Sequence, residues 1–112
     1  MKLITAVIKP FKLDEVRQAV ADIGIQGVTV TEVQGYGVSQ GRLETYRGAD
    51  YRIDFSPKAK IELAVDDSIA EQVMEALCNV ARTGSVSDGK VWILELEQAL
   101  RVRTGETGPD AI

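Results

Sequence analysis

Residues 58–65 read K-A-K-I-E-L-A-V, and their reading decides the fold of this chain. Ala59, Ile61, Leu63 and Val65 fall on one face, and Lys58, Lys60 and Glu62 on the other. Alternation with a period of two marks a strand with one buried face. Asp66-Asp67-Ser68 follows at once, and such short polar side chains cap the free amides that open a helix. Beyond it Ile69, Val73, Ala76, Leu77 and Val80 recur at helical spacing, with Glu71, Glu75, Cys78 and Arg82 opposite. Thr83-Gly84 ends that helix. After a polar turn, Ser85 to Gly89, the run Lys90 to Glu95 reads as another strand.

The same order stands on the N-terminal side. Leu3 to Ile8 is an apolar strand stopped by Pro10. Leu13, Val16, Val20 and Ile23 are spaced as a helix face, and Gly24 stops it. Val28 to Tyr36, rich in Val and Thr, is a strand. Two successive β-α-β units predict an α+β, ferredoxin-like fold: an antiparallel four-stranded sheet with both helices on one face. The sheet's other face should be polar where it meets water. Instead Leu3 and Val7, and Trp92 and Leu94, put apolar groups there. Self-association through the sheets is the expectation; the alternative is that the C-terminal segment covers this face.

Between the second and third strands lies Gly37 to Pro57, with no sustained helical or strand period. It carries Arg42, Glu44, Arg47, Asp50, Arg52 and Asp54 beside Tyr46, Tyr51 and Phe55. About twenty residues of loop in a compact domain are usually functional or disordered. The expectation is an extended effector arm.

At 112 residues the chain is one domain, 1–112. It has no histidine and one cysteine, Cys78. That excludes an internal disulfide, a structural zinc site in practice, and Ser-His or Cys-His hydrolysis. A net charge of −4 counts against nucleic acid as a partner. The start, M-K-L-I-T-A-V-I-K-P, is too short an apolar run for a signal peptide or a membrane span, so a cytoplasmic location without membrane insertion is expected. The composition favours binding over catalysis. A carboxylate dyad such as Asp50 and Asp54 lacks a nucleophile or metal site beside it.

Glycine and cations concentrate in three places: Gly35-Tyr36-Gly37, residues 83–90 (T-G-S-V-S-D-G-K) and residues 101–105 (R-V-R-T-G). Glycine-rich turns can present amides to anions, and paired arginines suit phosphate. Arg101 and Arg103 would point the same way if extended. No Walker A motif is present.

These residues carry a resemblance. M-K-L-I-T-A-V-I-K-P-F-K-L-D-E-V at the start, T-V-T-E-V-Q-G-Y-G, E-T-Y-R-G-A-D-Y, T-G-S-V-S-D-G-K-V-W and R-V-R-T-G-E together resemble the PII family of nitrogen-signalling proteins, in family order, over nearly the whole chain. The resemblance implies a homotrimer with sheets facing inward, and ATP or ADP in clefts between subunits. Thr29 would contact the adenine; Gly35, Gly37 and the main chain near Ala64 would line the base and ribose region. Val38 and the 83–90 loop, with Ser87, Asp88, Gly89 and Lys90, would meet the phosphates. Arg101 and Arg103, in the C-terminal segment 101–112, would reach in from a neighbour. Lys58, with Ser39 and Gln40 at the loop base, corresponds to the 2-oxoglutarate site. Tyr51 matches a tyrosine modified in many bacterial members. Arg47, Tyr46, Tyr51 and Phe55 would engage a target protein such as an ammonium transporter or regulatory enzyme.

The chain departs from the family pattern around the ligand. Val38 replaces an arginine that reaches the terminal phosphate, and Ser39 replaces the glutamine that ligates Mg²⁺ with 2-oxoglutarate. Ser85 replaces a lysine and Ser87 a glycine. The substitutions count against Mg²⁺ and 2-oxoglutarate as ligands, and favour ADP or AMP over ATP. They also raise an alternative: a divergent relative sensing another metabolite, such as bicarbonate with ADP or AMP, in carbon metabolism.

Overall fold

The structure is a computed structural model. It describes the backbone of residues 1–36, 42–46, 49–53 and 55–112, and the side chains of 1–36 and 55–112. Strands β1 (Lys2–Ile8), β2 (Thr29–Tyr36), β5 (Phe55–Val65) and β6 (Gly89–Glu95) form a four-stranded antiparallel sheet in the order β2-β5-β1-β6. Helices α1 (Leu13–Ile23) and α2 (Ala70–Ala81) pack on one face of it. This is the α+β, ferredoxin-like plan. Among the described residues no helix is long and apolar enough to cross a membrane.

Register explains the core. Ile4 lies between Leu63 and Ile93, Ala6 between Ile61 and Val91, and Ile8 opposite Ala59. These side chains share one face; all but the partly buried Val91 and Ile93 are buried with Val16 and Val20 of α1 and Ala70, Val73, Leu77 and Ala81 of α2. The α2 stripe is rotated relative to the sequence expectation: Ala76 and Val80 are only partly buried, and Ala70 and Ala81 take their place. Asp66 accepts hydrogen bonds from the Ser68 amide (3.0 Å) and hydroxyl (2.6 Å), but what it caps is a 3-10 turn, Asp67–Ile69, before the α-helix begins. Gly24 ends α1 in the left-handed region at φ 102°, with its amide 2.9 Å from the Ala21 carbonyl, as the sequence predicts.

The 37–57 stretch is corrected in two ways. Phe55, Ser56 and Pro57 belong to β5, paired with Tyr36, Gly35 and Gln34. Here β1 has already ended, at Ile8 opposite Ala59, so β5 has a neighbour on one side only and a proline is tolerated. Further out, β3 (Arg42–Tyr46) and β4 (Ala49–Ile53) pair as a separate two-stranded ribbon. Residues 42–53 show no sustained apolar alternation, the pattern that reveals a strand in a sequence.

The second sheet face carries no helix, and its Trp92 and Leu94 are exposed. Leu3 stands between Ala64 and Leu94, Thr5 between Glu62 and Trp92, and Val7 between Lys60 and Lys90. Trp92 is 39% exposed and Leu94 55%, so the C-terminal segment does not cover this face. That segment instead folds on itself through a Leu100–Thr107 bridge and a 3-10 turn, Gly108–Ala111.

Candidate functional site

The β2–β5 ladder ends where the β3–β4 arm leaves the sheet, and the turn before β6 runs beside it. Between them is a cavity of about 640 Å³. Gly35, Tyr36, Ser56 and Lys58 form the wall at the root of the arm. Ser85, Val86, Ser87, Asp88, Gly89 and Lys90 form the wall opposite, and Val7 and Trp92 from the open sheet face close the side. The volume is that of a small-molecule site, with apolar walls and few polar groups.

Gly89 fixes how close the two walls come. It sits at φ 113°, and a β-carbon there would lie 1.8 Å from the Val7 carbonyl oxygen. Only glycine lets the turn enter β6 directly against β1.

Asp88 organises the loop. Its carboxylate accepts from the amides of Thr83 (2.8 Å) and Gly84 (2.9 Å) and from the Thr83 hydroxyl. Lys9, just past β1, lies 3.3 Å from the same carboxylate and also donates to the Ser85 hydroxyl. The hydrogen bonds from Thr83, with those from Gly84 and Lys9, hold the Asp88 carboxyl well below its ordinary value of 3.8. The acid form binds the fold less well, so Asp88 contributes stability that is full at neutral pH. That contribution is lost as pH falls below 3.8 towards the depressed folded value. In thermal melts, Asp88→Asn should lower Tm at pH 7, and its gap from the native protein should narrow below pH 3.8. A gap that is the same at every pH would contradict the clamp.

Lys58 is buried and donates to the main-chain carbonyl of Ser87. Ser87 has φ 70°, the one positive value at a non-glycine residue among those described. The glycine-to-serine exchange read from the sequence therefore falls where the backbone is left-handed. Tyr36 and Phe55, the last pair of the ladder, meet with ring centroids 5.3 Å apart at the cavity mouth.

The structure thus brings Gly35, Lys58, Ser87, Asp88, Gly89 and Lys90 together. It does not bring Thr29, Ala64, Arg101 or Arg103 to the cavity of the same chain. Thr29 pairs with Glu62 at the other end of β2, six residues or about 20 Å from Gly35. Ala64 pairs with Leu3, and both contribute to the open face. Arg101 lies in a turn, with Nη1 3.2 Å from the Glu106 carboxylate and its amide 2.8 Å from the Glu106 carbonyl. The segment is not extended, so the alternation argument for Arg101 and Arg103 does not hold. Gly37, Val38, Ser39, Gln40 and Arg47 lie outside the described residues. Tyr46 and Tyr51 are placed by backbone alone, opposite Ala49 and Glu44; the side chains of Asp50 and Asp54 also lie outside.

Sequence reasoning missed Val7, Tyr36, Val86 and Trp92 as cavity walls, and Lys9 as the partner of Asp88. Strand alternation could have found Val7 and Trp92, since both fall on the face away from the helices. Among the described residues no cluster of carboxylate, cysteine or histidine side chains could hold a metal ion. The one acid in the cavity wall, Asp88, already has its oxygens engaged. Lys58, Lys90 and the apolar walls fit an organic anion; Ser39 and Gln40, the positions that bear on Mg²⁺, lie outside the described residues.

The family model for "Nitrogen regulatory protein P-II" matches residues 1–106. Similar curated proteins carry the same description. Those of Rhodospirillum rubrum and Rhizobium meliloti are each 54% identical to this chain, and that of Haemophilus influenzae is 52% identical. Each alignment runs over 112 residues and covers the whole of both chains. Identity at this level over the full length carries the fold and the regulatory class with it. The chain belongs to the nitrogen regulatory protein P-II family, and is a regulatory protein rather than an enzyme.

Proposed function

We propose that the protein is a homotrimeric sensor that binds an adenine nucleotide in the cavity and passes the ligand state through the β3–β4 arm to a nitrogen-metabolism target. One observation carries this reading: the cavity wall and the root of the arm are the same residues, Gly35, Tyr36, Ser56 and Lys58. A ligand there contacts the arm directly, and it shifts the arm only by binding its states unequally.

The base and ribose rest against Val7, Val86 and Trp92, and the phosphates lie towards Lys90 and the turn before β6. Thr29, Ala64, Arg101 and Arg103, remote within one chain, are supplied by a neighbouring copy whose open sheet face meets this one. The apolar residues uncovered on that face support the assembly. Tyr46, Arg47, Tyr51 and Phe55 are the target contacts, and Tyr51 is the position open to modification. The target is a protein, such as a transporter or regulatory enzyme.

Val38, Ser85 and Ser87 stand where the family pattern has Arg, Lys and Gly, so this chain gives up contacts to the outer phosphates. Each lost charge-assisted hydrogen bond is worth roughly 1.5–3 kcal/mol, about tenfold to a hundredfold in affinity. ADP and AMP should bind at least as tightly as ATP, and addition of Mg²⁺ with 2-oxoglutarate should not tighten ATP. Calorimetric titration with AMP, ADP and ATP, with and without those additions, checks this. A preference for ATP that depends on Mg²⁺ and 2-oxoglutarate would refute it.

A further inference from the structure

We propose that Ser87 is a positioning residue that sets the cavity's affinity for oxyanions by acting through Lys58. This rests on the nucleotide reading of the same cavity. Two features meet at Ser87. Its φ of 70° places a β-carbon in the left-handed region, a strain that glycine does not carry. Its carbonyl accepts the ammonium of Lys58.

Lys58 has little freedom. It is 9% exposed and lies flat over β2, where a β-carbon on Gly35 would come within 3.2 Å of its Cγ. Its head group therefore chooses between the Ser87 carbonyl and an anionic group in the cavity. The bond to the carbonyl is already charge-assisted, but a phosphate or carboxylate adds the attraction of a full opposite charge. A phosphate or carboxylate draws Lys58 away. The Ser87 carbonyl then loses its partner, and the turn relaxes out of the left-handed region. Relief of that strain adds to the affinity for the oxyanion. A neutral ligand leaves the contact in place and gains nothing.

The test is Ser87→Gly in the full chain, titrated with ADP, 2-oxoglutarate and adenosine. Calorimetry and the fluorescence of Trp92, which lines the same cavity, read binding. Glycine holds φ 70° without strain, so Tm should rise while affinity for at least one of the two oxyanion ligands falls by about fivefold. ADP and 2-oxoglutarate separate phosphate from carboxylate as the group that reaches Lys58. Adenosine affinity should change less than twofold. In a Lys58→Met background the glycine substitution should no longer weaken either oxyanion ligand.

A merely structural role would raise Tm and leave the oxyanion and adenosine affinities in the same ratio. That result, or tighter oxyanion binding by Ser87→Gly, overturns the proposal. If adenosine and ADP both fail to bind the native protein, the nucleotide reading itself falls. The two failures are therefore distinct.

Discussion

Gly89→Ala should lower stability by about 3–5 kcal/mol, adding the strain of a non-glycine residue at this φ to overpacking against backbone. The atom in the way, the Val7 carbonyl oxygen 1.8 Å from the new β-carbon, belongs to the central strand β1. A flexible side chain could swing aside; a strand paired on both sides cannot. Either β6 moves away from β1 or the turn before it unwinds, and both open the cavity. For a domain near this size each kcal/mol is about 4–8 °C in Tm, so the melt should shift by roughly 12 °C or more. Scanning calorimetry checks the shift. A variant that melts within a few degrees of the native protein would show that the approach of Gly89 to Val7 is not tight in solution.

If the sheets assemble as proposed, Leu94→Asp should dissolve the trimer while leaving the fold of each chain intact. Leu94 is 55% exposed on the open face, opposite Leu3 and away from both helices. A surface substitution of this kind costs a lone chain within about 0.5 kcal/mol. Buried in a trimer, the same carboxylate has no partner, and an unpaired buried charge costs far more than an interface can absorb. Symmetry repeats the cost at every interface. Sedimentation should move from three times the 12.2 kDa chain mass to one. Circular dichroism should be unchanged. On that proposal nucleotide affinity should also fall by about tenfold or more, since a neighbour would no longer supply Arg101 and Arg103. An assembly that survives the substitution would place the interface elsewhere.

Legibility differed from element to element for physical reasons. The strand at 58–65 and both helices were readable because each has one buried face, and burial writes a period into the chain. The β3–β4 ribbon was not readable, because residues 42–53 carry no sustained period of two. Helix α2 was placed correctly, with Val73 and Leu77 at its buried centre, but Ala70 and Ala81 are buried where Ala76 and Val80 were expected. At the site, the glycine and lysine turn at 83–90 stood out by composition. Its clamp did not: Lys9 and Ser85 are 76 positions apart, and no local pattern links them.

Local chemistry in the sequence determined the order of elements, the ferredoxin-like plan, the apolar second face and the family, because period, caps and motifs are properties of neighbouring residues. Tertiary structure alone decided which of those residues share a cavity. It joined the root of the arm to the turn before β6 and brought Lys9 to the carboxylate of Asp88. It also left Thr29, Ala64 and Arg101 remote from the cavity of their own chain. Lys9 and Asp88 come within reach only when sheet pairing fixes β1 and β6, distant in sequence, side by side. Lys58 and Ser87, 29 positions apart, meet for that reason alone.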